Sequence, residues 1–160
     1  MVAIVHPDAD VADGLQLVLE QADIPAYTVV LSPTEPAEAA LPWLRPETGL
    51  VVVGITTPLE RSQRLLQLLC HELGDAPRLA LSPMPAAVAP RLGAAASVIV
   101  QLSPDFDETA QAVLTAIRWA LPPAFALRLR ARHARAEANR LLADSLVLYQ
   151  RGQAFGAQAR

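Results

Sequence analysis

The amino-acid sequence predicts an α/β domain built on a doubly wound parallel sheet, and three observations carry this. Five short apolar runs recur along residues 1–120, helix-like stretches separate them, and turn-forming residues punctuate the junctions. A crossover between parallel strands is right-handed and covers a sheet face, so this alternation leaves few topologies.

Val2-Ala3-Ile4-Val5 is a β-branched apolar run that stops at His6-Pro7, as a buried strand would. Asp8 or Asp10 can then cap a helix, in which Val11, Leu15, Val18 and Leu19 recur at three and four residues before Ile24-Pro25 ends it. Tyr27 to Leu31 reads as a second strand. Pro36 to Leu44 reads as a short alanine-rich helix stopped by Pro46. Leu50 to Val53 is uninterrupted, as a central strand covered on both faces requires. A helix over 59–74 carries Leu65, Leu66, Leu68, Leu69 and Leu73, and Leu79-Ala80-Leu81 makes a fourth strand. Ala86 to Leu92 forms a short helix ended at Gly93, Ser97 to Leu102 a fifth strand, and Pro104 opens a long helix through Trp119.

Five such units in about 120 residues imply a flavodoxin-like fold with strand order 2-1-3-4-5. The expected organisation is one domain over 1–121 and a C-terminal helical extension over 122–160.

Composition narrows the function. The chain is 52% hydrophobic, which excludes a disordered protein, but no apolar span approaches the roughly 20 residues a membrane helix needs. Residues 1–5 enter a strand with no basic leader ahead of them, so a cytoplasmic protein without a membrane partner is expected. The single cysteine, Cys70, lies among leucines and is expected to be buried. All 13 basic residues are arginine, so chemistry that needs a lysine amine is excluded. Residues 1–120 hold six arginines against 14 acids, and 121–160 hold seven against two: an acidic body carries a basic tail.

In a doubly wound sheet, chemistry collects at the carboxyl ends of the strands. Those ends hold His6-Pro7-Asp8, Ser32, Gly54-Ile55-Thr56-Thr57-Pro58, Ser82 and Ser103-Pro104. His6 could act as a base or sensor, but no partner set surrounds it in sequence, and a hydrogen-bonded structural role is favoured. Asp8, Asp10 and Asp13 suit a helix N-terminus better than a metal cluster. Gly54 fits a turn or a close chain approach. Trp43 and Trp119 lie beside leucines and read as packing residues.

The apolar run ending in a turn and proline at 50–58, the hydroxyl Ser82 and the Ser103-Pro104-Asp105-Phe106 turn resemble the receiver domains of bacterial two-component response regulators, over residues 1–120. The resemblance implies a phospho-acceptor aspartate at the end of strand three, where this chain has Gly54. It implies an acidic pair for Mg²⁺ after strand one, where His6 and Pro7 stand and only Asp8 falls at a third acidic position. It implies a lysine before the strand-five proline, where Ser103 stands, and a strand-five aromatic, replaced by Val100. Nucleophile, metal site and phosphate-holding cation are all missing from their family positions, the pattern of a pseudo-receiver.

Beyond Pro122-Pro123, residues 124–150 contain neither Gly nor Pro and are rich in Ala, Leu and Arg, which predicts one long helix. Leu127, Ala131, Ala134, Ala138, Leu141, Ser145 and Leu148 alternate steps of four and three, as a coiled-coil seam does. The expectation is therefore a non-enzymatic signalling module with no cofactor and no metal, forming a homodimer through that seam and binding a further signalling protein. Two alternatives stand beside it. One is a nucleic-acid-associated regulator using Arg128, Arg130, Arg132, Arg135 and Arg140; the other is a small-ligand sensor using a remnant pocket of Asp8, Thr56, Thr57, Ser82 and Ser103 around Gly54.

Overall fold

The computed structural model describes residues 1–120 and, beyond them, residues 135, 138, 140–142 and 145, which lie in helix. Five strands, β1 (Val2–His6), β2 (Ala26–Val30), β3 (Leu50–Gly54), β4 (Arg78–Ser82) and β5 (Val98–Gln101), form one parallel sheet in the order β2-β1-β3-β4-β5. The expected flavodoxin-like order is therefore the one observed. Within residues 1–120, α1 (Ala9–Gln21), α2 (Leu59–Leu73) and α3 (Pro85–Leu92) connect strands, and α4 (Phe106–Ala120) follows β5.

The crossover between β2 and β3 departs from expectation. Ala37–Trp43 is a 3-10 helix, not an α-helix. Pro42 inside it lacks an N–H and its ring would meet the carbonyl four residues back, so the tighter three-residue ladder is the form this sequence supports.

Strand periodicity divides the core in two. Val2, Ile4, Leu50, Val52, Leu79 and Leu81 face α1 and α4, where Leu15, Leu19 and Ile117 complete one layer. Ala3, Val5, Val51, Val53 and Ala80 face the other way, against Leu65, Leu66 and Leu69 of α2. A parallel sheet sealed on both faces needs strands that are apolar at every position, which is why β1 and β3 read as unbroken runs.

Helix ends are set locally. The Asp8 carboxylate caps α1 by accepting from the amides of Asp10 at 2.9 Å and Val11 at 3.3 Å. Gly74 ends α2 at φ +58°, a left-handed turn that glycine adopts without Cβ strain. Gly14 of α1 permits a contact between layers: a Cβ there would stand 2.7 Å from Cζ of Phe106, so its absence lets the ring at the start of α4 settle on α1. Arg78, buried in β4, gives its guanidinium to the carbonyls of Gly74, Ala76 and Ala95 at 2.9–3.1 Å. That arrangement satisfies a buried cation with backbone oxygens. Cys70 is exposed, against expectation: it sits on the outer side of α2, while Leu65, Leu66 and Leu69 take the inner side.

The two-sided core makes a direct stability prediction. Leu66→Ala removes a fully buried side chain and costs about 2–5 kcal/mol, whereas Leu17→Ala, on the exposed side of α1, stays within about 0.5 kcal/mol; urea unfolding of the two variants measures the difference.

Candidate functional site

The carboxyl edge of the sheet is shaped by one close approach. His6 ends β1 and Gly54 ends the neighbouring β3. The His6 imidazole lies directly on Gly54: a Cβ at that glycine would be 2.2 Å from Cδ2 and 2.8 Å from Nε2 of the ring. Only 6% of His6 is exposed. The room expected above Gly54 is thus occupied by His6, one of the two residues standing where the resemblance implies an acidic pair. Pro7, the other, borders the same spot.

What remains is a cavity of about 10 Å³, lined among others by His6, Pro7, Gly54, Thr56, Arg61 and Ser62. That volume sits at the lower limit for a single water and is far below that of a small-molecule site.

His6 Nδ1 stands 3.1 Å from both the amide nitrogen and the carbonyl oxygen of Asp8. The ring accepts from the amide in one tautomer and donates to the carbonyl in the other. Burial holds the His6 pKa below its ordinary 6.5, outweighing the bond to the Asp8 carbonyl and the Asp8 charge, both of which favour the imidazolium.

Thr56 is fastened to the first turn of α2. Its amide donates to Ser62 Oγ at 3.0 Å, and its hydroxyl lies 3.3 Å from the same oxygen. Arg61 ties separate loops together: its guanidinium donates to the carbonyls of Ser32 at 2.6 Å and Glu35 at 2.7 Å, beyond β2, and to the Thr56 hydroxyl at 3.5 Å. Neither Arg61 nor Ser62 stood out in the sequence. The available signal was their place in the first turn of the helix that follows β3, which has to lie over that strand's end.

The other sequence-derived positions serve local structure. Asp8 caps α1, and Thr57 is exposed beside the cis Thr57-Pro58 bond. Ser82 is buried and its Oγ accepts from the Met84 amide at 3.1 Å. Ser103 Oγ donates to Glu108 at 2.7 Å and accepts from the Asp105 amide at 3.1 Å. Of the five residues assigned to a remnant pocket, Thr56 lines the cavity at Gly54, and Asp8, Thr57, Ser82 and Ser103 do not. Val100 packs into the layer under α1 and α4. Among the described residues no three His, Cys, Asp or Glu side chains converge, and no helix is long and apolar enough to cross a membrane. Of the C-terminal seam, Ala138 and Leu141 are helical and exposed, while Leu127, Ala131, Ala134 and Leu148 lie outside the described residues.

Two expected outcomes follow from the His6–Gly54 contact. Gly54→Ala overpacks the site and costs about 1–3 kcal/mol, and a double-mutant cycle with His6→Ala returns part of that loss as a coupling of about 0.5–3 kcal/mol, read by urea unfolding. The folded chain binds the His6 proton less readily than the unfolded chain. The stability from neutral His6 is therefore complete above pH 6.5 and is lost as pH falls below that value towards the depressed folded pKa. Unfolding curves from about pH 8 to about pH 5 should show this loss for the native sequence and a smaller one for His6→Gln.

No protein-family model matches the chain, and no curated protein does. Solved structures do. The chemotaxis response regulator CheY4 of Vibrio cholerae is 15% identical, with 72% of this chain and 96% of that one covered and a TM-score of 0.54. The response regulator TrrA of Thermotoga maritima, in complex with Mg²⁺ and beryllofluoride, is 20% identical over 71% and 96%, with a TM-score of 0.55. The non-phosphorylated HemR receiver domain of Leptospira biflexa is 19% identical over 76% and 96%, again at 0.55. Residues 1–120 of this chain thus share the fold of response-regulator receiver domains.

Proposed function

We propose that the chain is a receiver-like signalling module that works without phosphotransfer, through protein contacts and self-association, in regulation of the two-component or transcriptional kind. The observation that carries this reading is the His6 ring seated on Gly54. Transfer of a phosphoryl group to a carboxylate needs a nucleophile, a metal and a cation to take up the developing charge. Gly54 supplies no nucleophile, and His6 and Pro7 supply no carboxylate. Ser103 is engaged with Glu108 and Asp105, and the sequence contains no lysine. The ring also occupies the position that a side chain at residue 54 would take.

Contact surfaces support the rest of the reading. Trp119 is 85% exposed at the end of α4, beside a groove of about 510 Å³ along β5 and α4 lined by Val98, Ile99, Ala112 and Ala116. An exposed tryptophan on an apolar groove is the kind of anchor that protein interfaces use. Leu141 and Leu142, both helical, are 64% exposed, which leaves apolar side chains of the C-terminal helix available for contact.

Incubating the full chain with acetyl phosphate and Mg²⁺, followed by intact-mass measurement, tests the central statement. The expected result is an unchanged mass; a gain of one phosphoryl group would overturn it.

A further inference from the structure

The outer edge of β2 has the features of a pairing surface. The amide of Leu31 donates to the His6 carbonyl and the carbonyl of Pro25 accepts from Val2, so the odd-numbered residues of this strand turn their backbone groups towards β1. By strand alternation Ala26, Thr28 and Val30 point theirs outward, where the sheet ends. Natural edge strands are usually blunted by a charge, a proline or a bulge. Ala26-Tyr27-Thr28-Val29-Val30 carries neither charge nor proline, and it pairs with β1 residue by residue without a bulge. Val30 is 50% exposed, and a groove of about 320 Å³ runs beside the strand, walled by Trp43, itself 70% exposed, and Arg45.

We infer that β2 pairs antiparallel with β2 of a second copy of this chain, about a two-fold axis through Thr28, joining two five-stranded sheets into one. This rests on the self-association proposed above and names a face for it.

The strand is self-complementary in that register. Thr28 meets Thr28 of the second copy, and Ala26 meets Val30, so every outward-facing residue finds an outward-facing partner and the pairs fall in hydrogen-bonded positions. No side chain of the strand is charged at neutral pH, so the paired strands bring no like charges opposite one another. A threonine pair on the axis is a favourable cross-strand neighbour. The axis is normal to the sheet, so both Trp43 rings lie on the face covered by α2 and flank the seam; the 3-10 helix that carries Trp43 packs on α2.

Hydrogen exchange of the full chain at low and high protein concentration, with sedimentation in parallel, tests the assignment. The Thr28 and Val30 amides should exchange at least about tenfold more slowly in the associated form. Thr28→Lys places two lysines on the axis and should raise the dimer dissociation constant about tenfold or more. An equimolar mixture of Thr28→Lys with Thr28→Glu should restore both association and protection. Circular dichroism checks that each variant keeps its fold. A dimer whose Thr28 and Val30 amides exchange equally fast at all concentrations would overturn the β2 edge while leaving self-association through another face intact. A chain that stays monomeric at every concentration would overturn both.

Discussion

A parallel sheet closed on both faces permits polar chemistry at its ends and edges only, and everything distinctive about this protein follows from that constraint. β1 up to Val5 and β3 up to Val53 are apolar at every position because water is excluded from both sides, and their amides are paired within the sheet. The first place where a side chain can be both polar and anchored is the last residue of each strand. His6, Gly54 and Ser82 stand there.

At that rim, His6 and Gly54 are fitted to each other. An imidazole can lie across the end of β3 because the neighbouring residue has no Cβ, and the glycine stays covered because the ring is there. The pair fills the carboxyl end of β3, so the small volume left there is a matter of packing as well as of residue type. Arg61 adds rigidity by spending its hydrogen bonds on carbonyls from the β2 loop and on Thr56, which draws separate strand ends against α2. Thr56, Ser62, Ser82 and Ser103 are likewise committed to amides or hydroxyls of their own neighbourhoods. A rim whose polar groups already satisfy one another has little left to offer a small ligand.

Exposed aromatic surface lies at the periphery of the sheet. The two ends of the sheet are β2 and β5, and each has one of the chain's two tryptophans exposed beside it, Trp43 and Trp119. Their leucine neighbours point to packing roles, yet both are exposed. Their exposure follows from position: Trp43 closes a 3-10 helix at the sheet's margin, and Trp119 stands on the last turn of α4, past the residues that face the sheet.

Most of the fold was legible in the sequence, because strand burial on both faces and helix burial on one leave different periodicities, and proline, glycine and aspartate mark the turns. The run Leu50 to Val53 and the spacing of Val11, Leu15, Val18 and Leu19 mark β3 and α1 by periodicity alone. The absence of lysine and the glycine at position 54 were equally plain. Other features depended on distance in three dimensions. That Pro42 would turn a helix into a 3-10 segment was a contest between ladders that propensity alone does not decide, and Cys70 and Leu69, one residue apart, fell on opposite sides of α2. Above all, His6 and Gly54 are separated by most of two βα units, and only the pairing of β1 with β3 makes them neighbours. The sequence by itself determined which groups stand at the rim, with glycine at position 54 and no lysine anywhere. The tertiary structure alone decided that the space above Gly54 is filled, since the fit of a ring onto a bare Cα is a property of neighbouring strands.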